Sequence, residues 1–143
     1  MGRLFLGVFL GVLSFTLLAG GSNVTVKSIY SVQQTADRFV EALNKEEVPV
    51  ITRVKKNIMA SKNGEVITFS HPLYGTIVGK CHRGTRKDKP LNAKIWEDKN
   101  GEVWLSYFKP TAFINDFGVI ECGYETDRAQ QLLGGFASSA TLP

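Results

Sequence analysis

Apolar and polar positions along the chain predict one strand, one helix, four further strands and a final helix. Residues 24–30 alternate as a half-buried strand does. A helical pattern follows, with Ser31 as the N-cap and Gln34, three residues on, as its capping-box partner. The apolar face of this helix consists of Val32, Ala36, Phe39, Val40 and Leu43. Residues 50–55 and 65–70 are the next two predicted strands.

A β-hairpin over residues 93–108 is the clearest local prediction. Its alternating segments, 93–98 and 102–108, flank Asn100-Gly101, a dipeptide typical of tight two-residue turns. With these two residues as the loop, Trp96 faces Leu105 and Glu97 faces Trp104 across the hairpin.

The C-terminal part of the chain predicts a last helix with Thr126 as its N-cap. Gly134-Gly135 weakens this helix, and the residues from Ser138 onward are expected to fray. Residues 110–116 are predicted as a short helix, and a short helix is one alternative for residues 73–81. The order of these elements predicts a single domain of the α+β class.

The first 21 residues have the pattern of a secretory signal peptide. Arg3 is followed by an uncharged apolar run from Leu4 to Leu18 and by small residues at positions 19–22. About fifteen apolar residues is short for a bilayer span, which takes about twenty. We therefore expect residues 1–21 to be a signal peptide, with an uncleaved N-terminal anchor as the alternative, and residues 22–143 to form the domain. The predicted location is periplasmic or secreted, with membrane contact only if the segment stays uncleaved.

The composition excludes several classes of protein. The 143 residues are 43% hydrophobic and 21% charged, which argues against a disordered chain, a collagen-like repeat and a polytopic membrane protein. The sequence contains no nucleotide-binding loop, kinase, zinc-protease or nucleophile-elbow motif. It therefore favours a binding module over an enzyme and predicts no catalytic residue.

The formal net charge of +4 is concentrated between Lys80 and Lys94, where six Lys or Arg residues accompany only Asp88. Such a stretch suits an acidic partner, or it is a solvated loop. Export argues against nucleic acid as the partner.

The two cysteines, Cys81 and Cys122, are expected to form a disulfide if the protein is exported. The bond would close a loop of about forty residues and stabilise the fold by roughly 3–4 kcal/mol. As the alternative, Cys81, His82 and Cys122 bind copper or zinc, or act as redox-active thiols. No other cofactor is predicted.

The hairpin carries aromatic residues on both of its predicted faces, although a two-layer domain covers only one face of its sheet with helices. The second face is therefore expected to meet a small molecule, a partner protein or a second copy of the chain in a homodimer. The candidate ligand-binding residues are Glu97, Trp104, Tyr107 and Trp96. The sequence thus predicts a small-ligand-binding or protein-interaction module, with an extracytoplasmic metal-binding or thiol-redox protein as the alternative.

The chain resembles the domain-of-unknown-function 302 family over about residues 24–137. The most specific match is Trp96-Glu97-Asp98, Gly101, the run from Val103 to Tyr107, and Pro110. Weaker matches are residues 30–32, 35–38 and 90–91, together with Phe69, Pro72, Gly75 and Thr76. The resemblance implies an α+β fold similar to that of the TATA-box-binding protein, of order strand, helix, four antiparallel strands, helix, and it implies no activity. Many members have a histidine after the second strand, where this chain has Lys55-Lys56-Asn57.

Overall fold

The computed structural model describes residues 23–70, 90–109 and 123–143, with side chains in the last range from residue 127 onward. Its elements are β1 (Asn23–Ser28), α1 (Val32–Lys45), β2 (Val50–Lys55), β3 (Gly64–Phe69), β4 (Leu91–Glu97), β5 (Val103–Phe108) and α2 (Gly123–Thr141). The predicted signal peptide, the two predicted short segments at 73–81 and 110–116, and both cysteines lie outside the described residues.

The five strands form one antiparallel sheet in the order β1-β5-β4-β3-β2. Both helices pack on the same face of this sheet and against each other. The predicted α+β class and its order of elements are therefore confirmed. Neither helix in the described part of the chain is long and apolar enough to cross a membrane.

The core lies between the helices and the sheet and is centred on Phe39 of α1. Its ring meets Phe69 of β3 and Phe136 of α2 edge-on, with centroid distances of 5.5 and 6.5 Å. Edge-to-face pairs of this kind favour one relative orientation of the rings. These contacts join both helices to the end of β3.

The start of α1 has the capping box that the sequence predicts. The Gln34 amide donates to Ser31 Oγ at 3.1 Å, and the Ser31 amide donates to Gln34 Oε1 at 3.2 Å. Two backbone N–H groups that the first turn leaves without partners are thereby satisfied.

The predicted pairing of the hairpin is wrong by one residue. Trp96 lies opposite Trp104, and Glu97 lies opposite Val103. The loop has three residues, because the Asp98 amide donates to the Glu102 carbonyl at 2.8 Å and Gly101 adopts a φ of 78°. A three-residue loop with glycine in the left-handed region is the next common hairpin type after the two-residue turn.

The end of α2 is ordered, contrary to the predicted fraying from Ser138. The helix continues through Gly134-Gly135 to Thr141, and both Ala140 and Thr141 are buried. Arg38 of α1 donates from Nε to the Ser139 carbonyl and from Nη2 to the Leu142 carbonyl, each at 3.0 Å. Arg38 thus donates hydrogen bonds to carbonyl groups at the end of α2, which have no partner within the helix.

An ion-pair cluster fixes the outer strand β2 to the rest of the domain. Arg53 Nε lies 2.8 Å from Glu65 Oε1 on β3, and Arg53 Nη1 lies 2.6 Å from Asp37 Oδ1 on α1. Glu65 is buried, and a buried carboxylate without its cation would be strongly destabilising. The cluster is therefore assigned a structural role.

Candidate functional site

Alternate residues of the five strands point away from the helices, and we call the face that they form the open face. Its central positions are Trp96 and Lys94 of β4 and Trp104 and Ser106 of β5, because their neighbours Ile95, Leu105 and Tyr107 are buried on the helix side. Within the described residues, no helix packs on the open face.

Two tryptophans lie side by side on this face. Trp96 and Trp104 are directly opposite across β4 and β5, a position in which the Cβ atoms are about 5 Å apart. Both side chains are half-buried. They place apolar side chains next to each other on a sheet face that no described helix covers.

Asp98 fixes the orientation of Trp104. Its Oδ2 accepts a hydrogen bond from Trp104 Nε1 at 2.9 Å, and its Oδ1 accepts from the amides of Asn100 and Glu102, also at 2.9 Å. The indole N–H in particular, together with these amides, lowers the pKa of Asp98 below its ordinary value. The hairpin loop thus holds the Trp104 indole in a defined position.

The segment after β2 forms a wall beside Trp96. Ile58 is buried against Gly64, which lies opposite Trp96 on β3. A Cβ atom at Gly64 would lie 2.5 Å from the Lys56 carbonyl oxygen and 3.0 Å from the Ile58 side chain. Glycine is required here because the segment 56–58 approaches the strand so closely.

The tip of this wall is an exposed turn with unusual backbone angles. Met59 and Ala60 have φ values of 51° and 63°, a region that residues other than glycine seldom adopt. Two backbone hydrogen bonds between Ile58 and Ser61 close the turn, at 3.1 and 2.7 Å. Met59 is 79% exposed, so an apolar side chain stands at the rim.

The wall and the open face enclose a groove of about 740 Å³, which we call the open-face groove. Trp96, Trp104, Lys94 and Ser106 form its floor, and residues 56–59 form one side. Thr25 Oγ1 on β1 donates to Ser106 Oγ at 3.2 Å. The volume lies in the range of small-molecule sites, about 300–1,000 Å³.

The structure brings two of the four candidate ligand-binding residues together, Trp96 and Trp104. Glu97 belongs by alternation to the other face, and its Oε2 accepts a hydrogen bond from Asn63 Nδ2 at 3.2 Å. Tyr107 is buried on the helix side, and burial raises the pKa of its hydroxyl. A ligand-binding role for these residues stays a prediction.

Sequence reasoning missed Lys94 as a groove residue and Gly64 as the residue on which the groove wall packs. Lys94 stands two positions before Trp96 on the same strand. The alternation of side chains along a strand would therefore have been enough to place it on the same face as Trp96. Gly64 carried no such signal, because its role depends on residues 56–58, which pack against it only in the folded chain. Lys56 and Asn57 also line the groove.

The proposed metal ligands Cys81, His82 and Cys122 lie outside the described residues. Among the described side chains, those of residues 23–70, 90–109 and 127–143, no three from His, Cys, Asp or Glu come close enough together to hold a metal ion. The disulfide and the metal site therefore stay predictions.

Comparison with known proteins identifies one matching family model, described as "Domain of unknown function DUF302", over residues 24–133. The solved structure of a conserved DUF302 protein from Bacillus stearothermophilus aligns with a TM-score of 0.65 and 14% identity. The alignment covers 85% of this chain and 99% of that one. At this identity the likeness shows a shared fold.

Curated relatives include proteins named "Fluoride-specific ion channel FluC 1" from Brucella suis biovar 1 and from Brucella abortus biovar 1. Each is 34% identical over 93 residues, or 61% of this chain. That match spans 37% of the first relative and 34% of the second. The chain therefore corresponds to about a third of the length of these relatives.

Proposed function

This chain belongs to the DUF302 family, and we propose that it is an exported binding module whose open-face groove takes a small organic ligand. The observation that carries the proposal is the pair Trp96 and Trp104 on a sheet face where no described helix packs. Covering the apolar surface of the two indoles would stabilise a complex by about 25 cal/mol per Å² of surface removed from water.

Two features support a small molecule over a second copy of the chain as the occupant. The aromatic surface lies in a concave groove and not on a flat patch, because the segment 56–59 rises beside it. The side chain of Lys94 stands in the middle of the floor. Two identical copies meeting face to face would bring like charges together there.

The proposal is tested by nuclear magnetic resonance of the isotope-labelled domain with a library of small organic molecules. The chain has two tryptophans, and both contribute to the groove, so their two indole N–H signals report on this site. We expect a subset of the library to shift both signals, and Trp96→Leu to abolish the response of Trp104. Tyr30→Leu is the control, because Tyr30 contacts Arg38 away from the groove.

Two results would contradict the ligand proposal. In the first, no library member shifts either indole signal. In the second, sedimentation gives a dimer that Trp96→Arg dissociates, which would make the open face a subunit interface.

Export is part of the proposal and rests on the pattern of residues 1–21. We expect the mature protein to begin near Ser22 and to be found outside the cytoplasm. Mass spectrometry of the protein expressed with its full sequence checks the cleavage, and Leu10→Arg, which places a charge in the apolar run, is expected to block it.

A second candidate function is fluoride binding, favoured only by the names of the Brucella relatives. It is distinguished by adding sodium fluoride or sodium chloride to the labelled domain. Fluoride binding in the groove predicts shifts of the indole signals with fluoride that equal concentrations of chloride do not produce, whereas an organic-ligand site predicts the same small response to both salts.

A further inference from the structure

The open-face groove has the chemistry of a site for an organic anion with a flat apolar body, and this inference rests on the proposed function. We infer that the ring of such a ligand lies on Trp96 and Trp104 while its acid group meets the ammonium of Lys94.

The charges that line the groove favour an anion. Lys94 and Lys56 are cationic, and Asp98 is the carboxylate among the lining residues. Both oxygens of Asp98 already accept hydrogen bonds from the hairpin, so this carboxylate is occupied by the protein itself. Among the described residues, no carboxylate forms an ion pair with Lys94 or Lys56. An acid group of a ligand would therefore meet cations that the described side chains leave available.

The register of the sheet places the polar and apolar parts of the site at a fixed separation. Lys94 lies between Ser106 and Val66 on the neighbouring strands, and none of these positions is acidic. Along β4, Lys94 and Trp96 are two residues apart, or about 7 Å. A ligand ring that lies on the indoles carries its acid group toward Lys94, and the flexible Lys94 side chain can reach that group.

A flat ligand body fits the tryptophan pair better than a puckered one does. The N–H of Trp104 is committed to Asp98, so this residue offers its ring surface and not a hydrogen-bond donor. Ring surfaces attract flat aromatic groups in stacked or edge-on geometry. Ile58 and Met59 add apolar side chains at the adjacent wall.

The test compares benzoate with two matched probes, neutral benzamide and the non-planar anion cyclohexanecarboxylate. The indole N–H signals give the affinity of each probe. We expect benzoate to bind about 1.5-fold to 5-fold more tightly than benzamide, the range for one exposed charge interaction. It should also bind more tightly than cyclohexanecarboxylate, which lacks an aromatic ring to stack on the indoles. Lys94→Met is expected to lower benzoate affinity to that of benzamide, and Lys94→Arg to retain most of it. Lys45→Met removes an exposed lysine on α1 and should change nothing.

Each alternative result identifies which proposal fails. If benzamide binds as tightly as benzoate, the anion preference is wrong while the groove remains a ligand site. If cyclohexanecarboxylate matches benzoate, the preference for a flat body is wrong. If no probe moves the indole signals of the folded domain, as checked by its thermal melting, this inference is wrong, and a negative library screen would then overturn the proposed function as well.

Discussion

At the scale of single residues, Asp98 connects the hairpin loop to the groove. One carboxylate accepts three hydrogen bonds, two from loop amides and one from the Trp104 indole. Removing it would leave two amides and an indole N–H without acceptors and would free Trp104 to turn. The same group therefore contributes to stability and to the shape of the proposed site.

The lowered pKa of Asp98 predicts a specific dependence of stability on pH. Because the pKa is lower in the folded state, the ionised carboxylate stabilises the fold above the unfolded-state pKa of about 3.9, and this contribution is lost as the pH falls through the folded-state pKa. Asp98→Asn should therefore lower the free energy of unfolding at about pH 6 and have little effect at about pH 2. Urea unfolding across this range measures the difference.

The control for this prediction is Asp127→Asn, since Asp127 is an exposed carboxylate of α2. Equal pH dependence of the two variants would show that the hydrogen bonds of Asp98 do not favour its ionised form. The indole signal of Trp104 should also move in Asp98→Asn and stay in place in Asp127→Asn.

At the scale of elements, the segment between β2 and β3 is what turns a sheet face into a groove. It crosses β3 at Gly64, buries Ile58 there and leaves Met59 exposed at the rim. The approach is possible only because Gly64 has no side chain. The shape of the site therefore depends on a glycine that never faces the ligand.

Gly64→Ala should damage both the fold and the site. Its Cβ would lie 2.5 Å from a backbone oxygen, so the segment 56–58 must move, at an expected cost of about 1–3 kcal/mol. Gly135→Ala is the matched control, because a Cβ there meets nothing within 4 Å and should stabilise α2 by about 0.5–1 kcal/mol. Urea unfolding and benzoate titration of both variants check the prediction. Unchanged stability and binding in Gly64→Ala would contradict the role given to this wall.

The elements that the sequence predicted well are those whose signals are local. The capping box of Ser31 and the alternation of the two hairpin strands, β4 and β5, depend on neighbouring residues alone. The predicted hairpin pairing was wrong because Asp98 accepts hydrogen bonds from the Asn100 and Glu102 amides, which favours a loop of three residues. The dipeptide Asn100-Gly101 alone does not indicate these hydrogen bonds. The ordered end of α2 depends on Arg38, which is 101 residues away from Ser139 in the chain. The predicted pairing placed Trp96 and Trp104 on opposite faces of the hairpin, whereas the observed register places both on the open face. The wall at residues 56–58 likewise became visible only in the fold.

At the scale of the whole molecule, three strand ends and the start of α2 border the segments that lie outside the described residues. Phe69 pairs with Leu91, and Phe108 pairs with Asn23, so β3 ends, β4 begins and β5 ends at the same end of the sheet. Residues 71–89 and 110–122 are joined to the described chain at that end. Helix α2 ends beside Ile29, at the opposite end of β1, and passes Tyr107 at Gly134. Its first residue, which directly follows Cys122, is thus directed toward the end where the other segments are joined.

We predict that Cys81 and Cys122 are bonded in the exported protein, because two cysteines outside the cytoplasm usually form a disulfide. Thiol titration of the unfolded, unreduced protein should then find no reactive thiol, and reduction should release two. Cys81→Ala, Cys122→Ala and the double variant should lose the same stability, roughly 3–4 kcal/mol, because each removes the same loop closure of about forty residues. Thiols that react before reduction would contradict the bond. In the folded, unreduced protein, thiols that react only after a chelator is added would instead favour the copper or zinc site, in which each cysteine contributes separately and the single variants keep part of the metal affinity.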